Sequence, residues 1–477
     1  MKTNTLDFDA QALRERILDL AMRGKLVPQD PNDEPASVLL EKIKAEKAEL
    51  VKEKKIKKTK ALPAITDDEK PFDIPDSWEW VRLGDVTDVV MGQAPKGSNV
   101  NDQGEGIEFH QGKTEFTETV IGKSSKYTTD SNKIVDSNFI IMAVRAPVGD
   151  VNLLDRKISI GRGLAGIAPY ISNKIYIFYY LESIKNYFER RSTGSTFKAI
   201  NGNTIKNAVV PLPPLSEQSR IAAKIAQLFA LLRKVESSTQ QYAELQTLLK
   251  TKVLDLAMRG KLVKQDPNDE PASVLVEKIK AEKAELVKKK KIKKSKPLPP
   301  ITDEEKPFDI PDSWEWVRIS DVLDVRDGTH DTPKYVADGI PLITSKNISN
   351  GKLDFTNINF ISKDDFEKIN ERSKVDKGDI IFAMIGTIGN PVLVDTDTKF
   401  GIKNVALLKH FTDKLNMDFI LDYLLVLQVI WNSNATGAVQ KFVSLRKIRK
   451  SVLPLPPFKE QKKIVRKIDQ IFRMIGE

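Results

Sequence analysis

Two short stretches have the residue types to grip a phosphate: Gly112-Lys113-Thr114 and Gly122-Lys123-Ser124. A phosphate-binding loop needs another glycine five positions before its own glycine, so that backbone N–H groups can close around the anion. Residues 107 and 117 are Ile107 and Thr117, so neither stretch closes a cradle. The Asn-Pro-Pro-aromatic motif of amino-methyltransferases is absent, because the Pro-Pro pairs of this chain follow leucine. The histidines are His110, His330 and His410, too far apart in sequence to suggest one metal site or triad. Carboxylates are abundant, but none is paired by its context. With no cysteine, disulfides and thiolate-held zinc or iron–sulfur sites are excluded. The residues offer no catalytic constellation, and the catalytic metal set is none.

The elements that would position any site are duplicated. Residues 17–85 and 253–321 match at an offset of 236 with ten differences, and each carries the run LDLAMRGKLV and ends on IPDSWEWVR. A shorter repeat at offset 243 pairs VPLPPLSEQSRIAAKI (210–225) with LPLPPFKEQKKIVRKI (453–468). The segments between the copies differ. Repeats of this kind decide the architecture before any local reading does. On these offsets Glu477 matches Lys234 and Met1 matches Ser237, so a pseudo-twofold ring is expected, its two chain ends together supplying one copy of an element that is continuous in the middle.

That middle element reads as helix. Ile221, Ile225, Leu228, Leu232 and Val235 are spaced 4, 3, 4, 3, a heptad seam. Ser216 and Glu217 mark its start and Gly260 its end, so a helix over 216–258 would be roughly 60 Å long. The C-terminal copy places Ile464, Ile468, Ile471 and Ile475 in the same seam, and Leu13, Ile17 and Leu20 match Leu249, Val253 and Leu256. A second helix follows in each copy, with Pro35 or Pro271 expected in its first turn. Pro-rich, charged stretches without periodicity then read as linkers.

The expected divisions are an N-terminal helical region at 1–58, a linker at 59–77, a variable domain at 78–215, a central helical region at 216–294, a linker at 295–313, a second variable domain at 314–457, and a C-terminal helix at 458–477. Each variable segment opens on alternating apolar residues (Trp78 and Trp80, or Trp314 and Trp316). Each holds β-branched runs such as 139–144, 379–386 and 404–408, and each ends on a helical stretch. The fold class expected is α/β (α+β).

The net charge of +10 belongs to the scaffold. Residues 52–60 carry about +5 and residues 288–296 about +7, which together exceed the total. The variable segments are near neutral. A high pI therefore does not by itself mark them as nucleic-acid binders, and the lysines read first as solvated helix ends. No signal-peptide core and no apolar run of membrane-spanning length occurs in the sequence, so a soluble cytoplasmic protein with no membrane partner is expected.

Two unlike domains, each opening on PDSWEWVR and closing on a PLPP-x-x-EQ-x-x-I element, joined by duplicated helices, resemble the DNA specificity subunit of a type I restriction–modification enzyme, over essentially the whole chain. The resemblance implies two globular target recognition domains separated by two long antiparallel coiled-coil helices. Each domain would read one half of a bipartite, asymmetric site in double-stranded DNA, and the helices would fix the gap. It also implies two modification (methyltransferase) subunits docked on the repeated scaffold, joined by restriction (translocase/endonuclease) subunits. S-adenosylmethionine, ATP and Mg would sit on those partners and none in this chain, which would not be an enzyme by itself. A scaffold whose variable domains bind proteins is the other reading the near-neutral segments support.

Base readout needs paired donors and acceptors, and phosphate contacts need Lys, Ser, Thr or amides. The first domain offers Gln93, Lys96, Ser98 and Asn99 in one loop, and Arg191, Ser195, Thr196, Lys198, Asn201 and Asn203 in another. The second offers Arg326, Thr329, His330, Thr332 and Lys334, then Ser345, Lys346 and Asn347, then Gln440, Lys441, Ser444 and Arg446.

Overall fold

The computed structural model describes residues 8–130, 133–194, 198–294, 296–349, 351–384, 389–433 and 443–476. The chain divides into two compact units, with the division between Thr239 and Gln240 inside one helix, Leu215–Met258. That helix has 44 residues, close to the span the heptad seam predicts. It stops because Gly260 takes φ +68° and lets the Lys261 N–H reach back to the Leu256 carbonyl. Gly24, at φ +66°, ends the helix Ala10–Met22 in the same way.

In the first unit Ala10–Met22 runs antiparallel to the start of the long helix. The Arg14 guanidinium forks onto Glu236 at 2.7 and 3.0 Å and lies over the Phe229 ring. Ile221, Ile225 and Leu232 are buried in the same core cluster as Leu18, Ala21 and Met22. The seam departs from strict heptad spacing. Phe229 is 5 % exposed and fills the place expected of Leu228, which is half-buried, while Val235 is 44 % exposed. A straight α-helix of 3.6 residues per turn drifts off a 3.5-residue repeat, so the buried stripe moves one position along. In the second unit Phe458–Met474 runs antiparallel to the end of the long helix. Lys250 lies over Phe472, and Gln246 donates to the Ile475 carbonyl. Ile464 and Ile468 are buried there, and Ile471 and Ile475 half-buried.

The second helices are Ala36–Lys52 and Ala272–Lys288, with Pro35 and Pro271 at the N-cap, one position earlier than expected. The segments read as linkers are tied down. Each contains a short 3-10 turn, Asp67–Glu69 or Asp303–Glu305, whose glutamate is gripped by Arg82 or Arg318.

Each variable segment is held at its two ends by one antiparallel ribbon: Glu79–Arg82 on Val209–Leu212, and Glu315–Arg318 on Val452–Leu455. Inside the ribbon comes a four-stranded antiparallel sheet. Its order is Thr87–Met91, Leu164–Pro169, Ile140–Ala143, Val151–Leu153 in the first unit. The second repeats the order with Leu323–Asp327, Val405–His410, Ile380–Ala383 and Gly389–Leu393. The β-branched runs expected to be strands form the inner strands of these sheets. Among the described residues a further sheet differs between the units, with five strands in the first and four in the second. Helices Lys174–Ser183 and Met417–Ser433 pack on the four-stranded sheets. Among the described residues no helix is long and apolar enough to cross a membrane.

Burial of Glu182 on the first of these helices raises its carboxyl to about 7, with Glu118 adding to the rise and Arg14 opposing it. An unfolded glutamate titrates near 4.3. The folded state therefore holds a proton over that window that the unfolded chain has lost, and stability falls as pH rises through it. Glu182→Gln is expected to raise stability by about 2 kcal/mol at pH 8 and to change nothing at pH 4. Urea titrations at the two pH values check this, and an equal effect at both would refute it.

Candidate nucleic-acid interface

The duplicated EQ pair is what fastens each variable domain to its helix. Glu217 accepts from the Trp78 indole N–H at 2.9 Å and from Gln29 at 2.5 Å. Glu460 accepts from Trp314 at 3.1 Å and from Gln265 at 3.0 Å. Gln218 donates to the Pro213 carbonyl and accepts the Asn173 N–H, and Gln461 does the same with Pro456 and Asn416. The Tyr176 hydroxyl donates to the Pro211 carbonyl at 2.6 Å, and Tyr423 to that of Val452 at 2.6 Å. The first PLPP segment is thus held from both sides by side chains, and in the second unit Tyr423 holds the strand just before it. Arg23 over Phe72 and Arg259 over Phe308 repeat the pattern, each at 4.6 Å.

On this frame the two domains carry different polar groups. In the first, Gln93 and Lys96 are exposed, with no side-chain partner among the described residues. Ser98 donates to Asn99, whose amide donates to Asp130 at 3.3 Å. Arg191 stacks on the Tyr187 ring at 3.9 Å. Lys198 is exposed. Asn201 caps the helix Gly202–Lys206, accepting the N–H groups of Asn203 and Thr204, so its carbonyl oxygen is spent on the backbone. Asn203 is exposed in that helix. Ser195 and Thr196 lie outside the described residues.

In the second domain Arg326 is paired with Asp324 at 2.7 Å and reaches the Arg372 carbonyl. His330 bridges Asp327 and Asn404 at 3.0 and 3.1 Å, and Thr332 accepts from Lys403. Lys334 and Lys346 are exposed, and Ser345 is half-buried. Asn347 is buried. Its oxygen accepts from Thr344 and its amide donates to the carbonyls of Asp354 and Asn357, so it holds a turn and has nothing left to offer a base. Ser444 caps the helix Leu445–Lys450, and Arg446 is exposed on that helix. Gln440 and Lys441 lie outside the described residues.

A cluster in the first domain explains one of the histidines. His110 is buried, with Nε2 2.8 Å from Glu108, and Arg156 forks onto Glu108 at 2.7 Å. Burial would raise the Glu108 carboxyl, but Arg156, the Ser124 N–H and His110 hold it down at about 2. This is a structural network, with the His110 Nδ1 3.3 Å from Glu115. Among the described residues no group of three His, Asp or Glu side chains is placed to hold a metal ion.

Three residues outside the expected set stand at the sheet end beside Gln93: Gln111, Arg145 and Arg162. All are exposed, and no partner for their side chains occurs among the described residues. Arginine flanked by glycines in Gly161-Arg162-Gly163 is the one local signal that could have picked them out.

The description "type I restriction modification DNA specificity domain" fits residues 75–247 and again residues 311–476. The chain belongs to that family. It is the specificity component of such a system, not its catalyst. The EcoAI type I restriction enzyme specificity subunit of Escherichia coli is 33 % identical over 543 aligned residues, covering 98 % of this chain and 89 % of that protein. The EcoEI specificity subunit of Escherichia coli is 38 % identical over 379 residues, covering 66 % of this chain and 62 % of that protein. The crystal structure of the HsdS subunit from Thermoanaerobacter tengcongensis aligns with a TM-score of 0.49 at 19 % identity, covering 85 % of this chain and 92 % of that one. Both stretches that fit the family description begin on a PDSWEWVR run and extend into the helix after an EQ pair. The family description thus fits the chain twice, once over each copy of the frame.

Proposed function

We propose that this chain reads a bipartite, asymmetric duplex site, one half through residues 78–215 and the other through residues 314–457. The helical regions 1–58, 216–294 and 458–477 set the gap and dock two copies of one modification subunit, with 59–77 and 295–313 as the connecting segments. Restriction subunits join that core. S-adenosylmethionine, ATP and Mg reside on the partners, and the complex works in the cytoplasm. One observation carries the reading. The Trp–Glu–Gln fastening recurs atom for atom in the two units, while the outer sheets it holds differ in strand number. Identical frames suit two copies of one partner. Unlike readers suit two unlike half-sites, as twofold dimers suit palindromes.

The test is to co-express the chain with its modification subunits in a host without the system and to map methylated adenines across the genome. One motif with two defined halves and a fixed gap is expected. Exchanging residues 78–215 for those of another family member is expected to change one half only. Methylation without site preference, or both halves unchanged after the exchange, would defeat the proposal.

A further inference from the structure

We infer that the first variable domain reads DNA at a glycine-walled mouth at one end of its four-stranded sheet, where Gln93, Gln111 and Arg162 face base edges and Arg145 and Lys198 take phosphates. The inference rests on the proposed DNA-reading role and names the residues that perform it.

The first support is how tightly three chain segments converge. The Gly92 N–H donates to the Leu164 carbonyl at 2.9 Å, and the Gln93 N–H to that of Ile160 at 3.0 Å. The Gly161 N–H donates to His110 at 2.7 Å, and the Gly163 N–H to Gln111 at 3.0 Å. A Cβ on Gly161 would fall 2.5 Å from the Gln111 Oε1, and one on Gly163 2.5 Å from the Gln111 carbonyl oxygen. One on Gly92 would collide with the Gly161 carbonyl. At Gly92 and Gly163 a side chain would strike backbone, so glycine permits the approach there, and the approach makes Gln93, Gln111 and Arg162 emerge from one place. The Val144 N–H donates to Gly163 at 2.9 Å, so Arg145 and Arg162 are the next residues outward on two paired chains. Lys198 joins them, because its carbonyl accepts the Ala146 N–H at 2.9 Å.

The second support is that these groups are unspent. Other cations of the domain are of both kinds: Arg156 is neutralised by Glu108, and Lys113 and Lys185 by Asp150, whereas Lys96, Lys123, Lys133 and Lys157 have no ion pair among the described residues. Among the described residues Arg145, Arg162 and Lys198 have no ion pair, and the carboxamides of Gln93 and Gln111 have no hydrogen-bond partner. Like charges set side by side on neighbouring strands cost stability. Leaving three uncompensated beside two free carboxamides matches a polyanion whose base edges present paired donors and acceptors.

The third support is recurrence. In the second domain the Gly328 N–H donates to Val405 at 2.9 Å, the Thr329 N–H to Ile402 at 3.0 Å, and the Lys403 N–H to Ile343 at 2.9 Å. A Cβ on Gly328 would fall 2.6 Å from the Ile402 carbonyl oxygen. The close approach recurs at Gly328, but Thr329, Lys403 and Asn404 emerge from it in place of Gln93, Gly161 and Arg162. A fixed frame presenting different side chains is what two readers of different half-sites require.

The assembled complex with its modification subunits tests this, by methylation mapping and by duplex binding as a function of salt. Gln93→Ala, Gln111→Ala and Arg162→Ala are each expected to relax the first half-site about tenfold at one or more positions, with the second half-site intact. The isosteric Gln93→Glu, which removes the donor with little change of shape, is expected to do the same. Arg145→Ala and Lys198→Ala are expected to weaken binding across all sequences and to reduce the salt slope by about one each. Retention of the second half-site shows that each variant has assembled. If the wild-type complex reads a bipartite site and all the glutamine and Arg162 variants leave its first half as sharp as before, the mouth is not the reader. If the wild-type complex shows no bipartite site, it is the proposed function that fails.

Discussion

Glu217→Ala is expected to lower the stability of the first unit by about 3 kcal/mol, and Glu460→Ala that of the second by a similar amount. Glu217 is 1 % exposed, and its two oxygens accept from two donors, the Trp78 indole and the Gln29 amide. Truncation removes both acceptors. Each stranded donor then loses its bond without regaining water, at about 1–3 kcal/mol apiece. Glu217→Gln is expected to recover only part of the loss, because a carboxamide turns one of its two acceptors into a donor facing a donor. Burial raises the Glu217 carboxyl above its ordinary range, with Trp78 and Gln29 pulling the other way. The folded state therefore keeps this proton to higher pH than the unfolded chain. That contribution is full at acid pH and is lost as pH rises through the raised value. Tryptophan fluorescence in urea measures the loss, and an unchanged midpoint for Glu217→Ala would refute it. Because the units repeat the contact, each single variant should shift one part of the transition and leave the other.

Much of the frame was legible because its signals are local. The heptad spacing marked the long helix to within one residue of its start, and the β-branched runs marked the inner strands. The EQ pairs were visible as a repeated motif, but their role was not. Glu217 meets Trp78 across 139 residues of sequence, and no spacing rule reaches that far. The Pro-rich segments looked free for the same reason: their hold is Arg82 or Arg318, placed by a strand that pairs with residues more than a hundred positions later.

The proposed reading surface was less legible. Asn, Ser and Thr in polar loops serve equally well as caps, turn locks and base readers, and sequence does not separate these uses. Asn201 and Ser444 proved to be helix caps and Asn347 a turn lock. Gln111, Arg145 and Arg162 went unnoticed because strand pairing, not sequence, brings them beside Gln93. Charge was a poor guide too. The lysine tracts dominate the total, whereas at the mouth three cations without an ion pair among the described residues lie on adjoining backbone segments.

Arg82→Lys keeps the charge yet is expected to cost the first unit about 2–4 kcal/mol, with Arg318→Lys its counterpart in the second. The Arg82 side chain is 4 % exposed. It forks onto Glu69 at 2.7 and 2.8 Å and also donates to the carbonyls of Pro63, Ala64 and Asn207. A lysine has three donors on one atom and cannot span that planar set. At least two of these acceptors would lose their donor, and residues 63–69 would lose the grip that lays them on the ribbon. Trypsin reports this directly, since Lys58 and Lys60 flank the held segment, and cleavage there should quicken in the variant while the second unit is cut as before. The acid limb supplies an independent readout. Arg82 and the Thr66 N–H hold the Glu69 carboxyl at about 2, below its unfolded value near 4.3. Its contribution is therefore present above that unfolded value and lost as pH falls toward 2. Lysine holds the carboxylate less firmly, so the stability difference between wild type and Arg82→Lys should narrow on acidification. A difference that stays constant from pH 7 to pH 3 would mean that Glu69 is not what Arg82 secures.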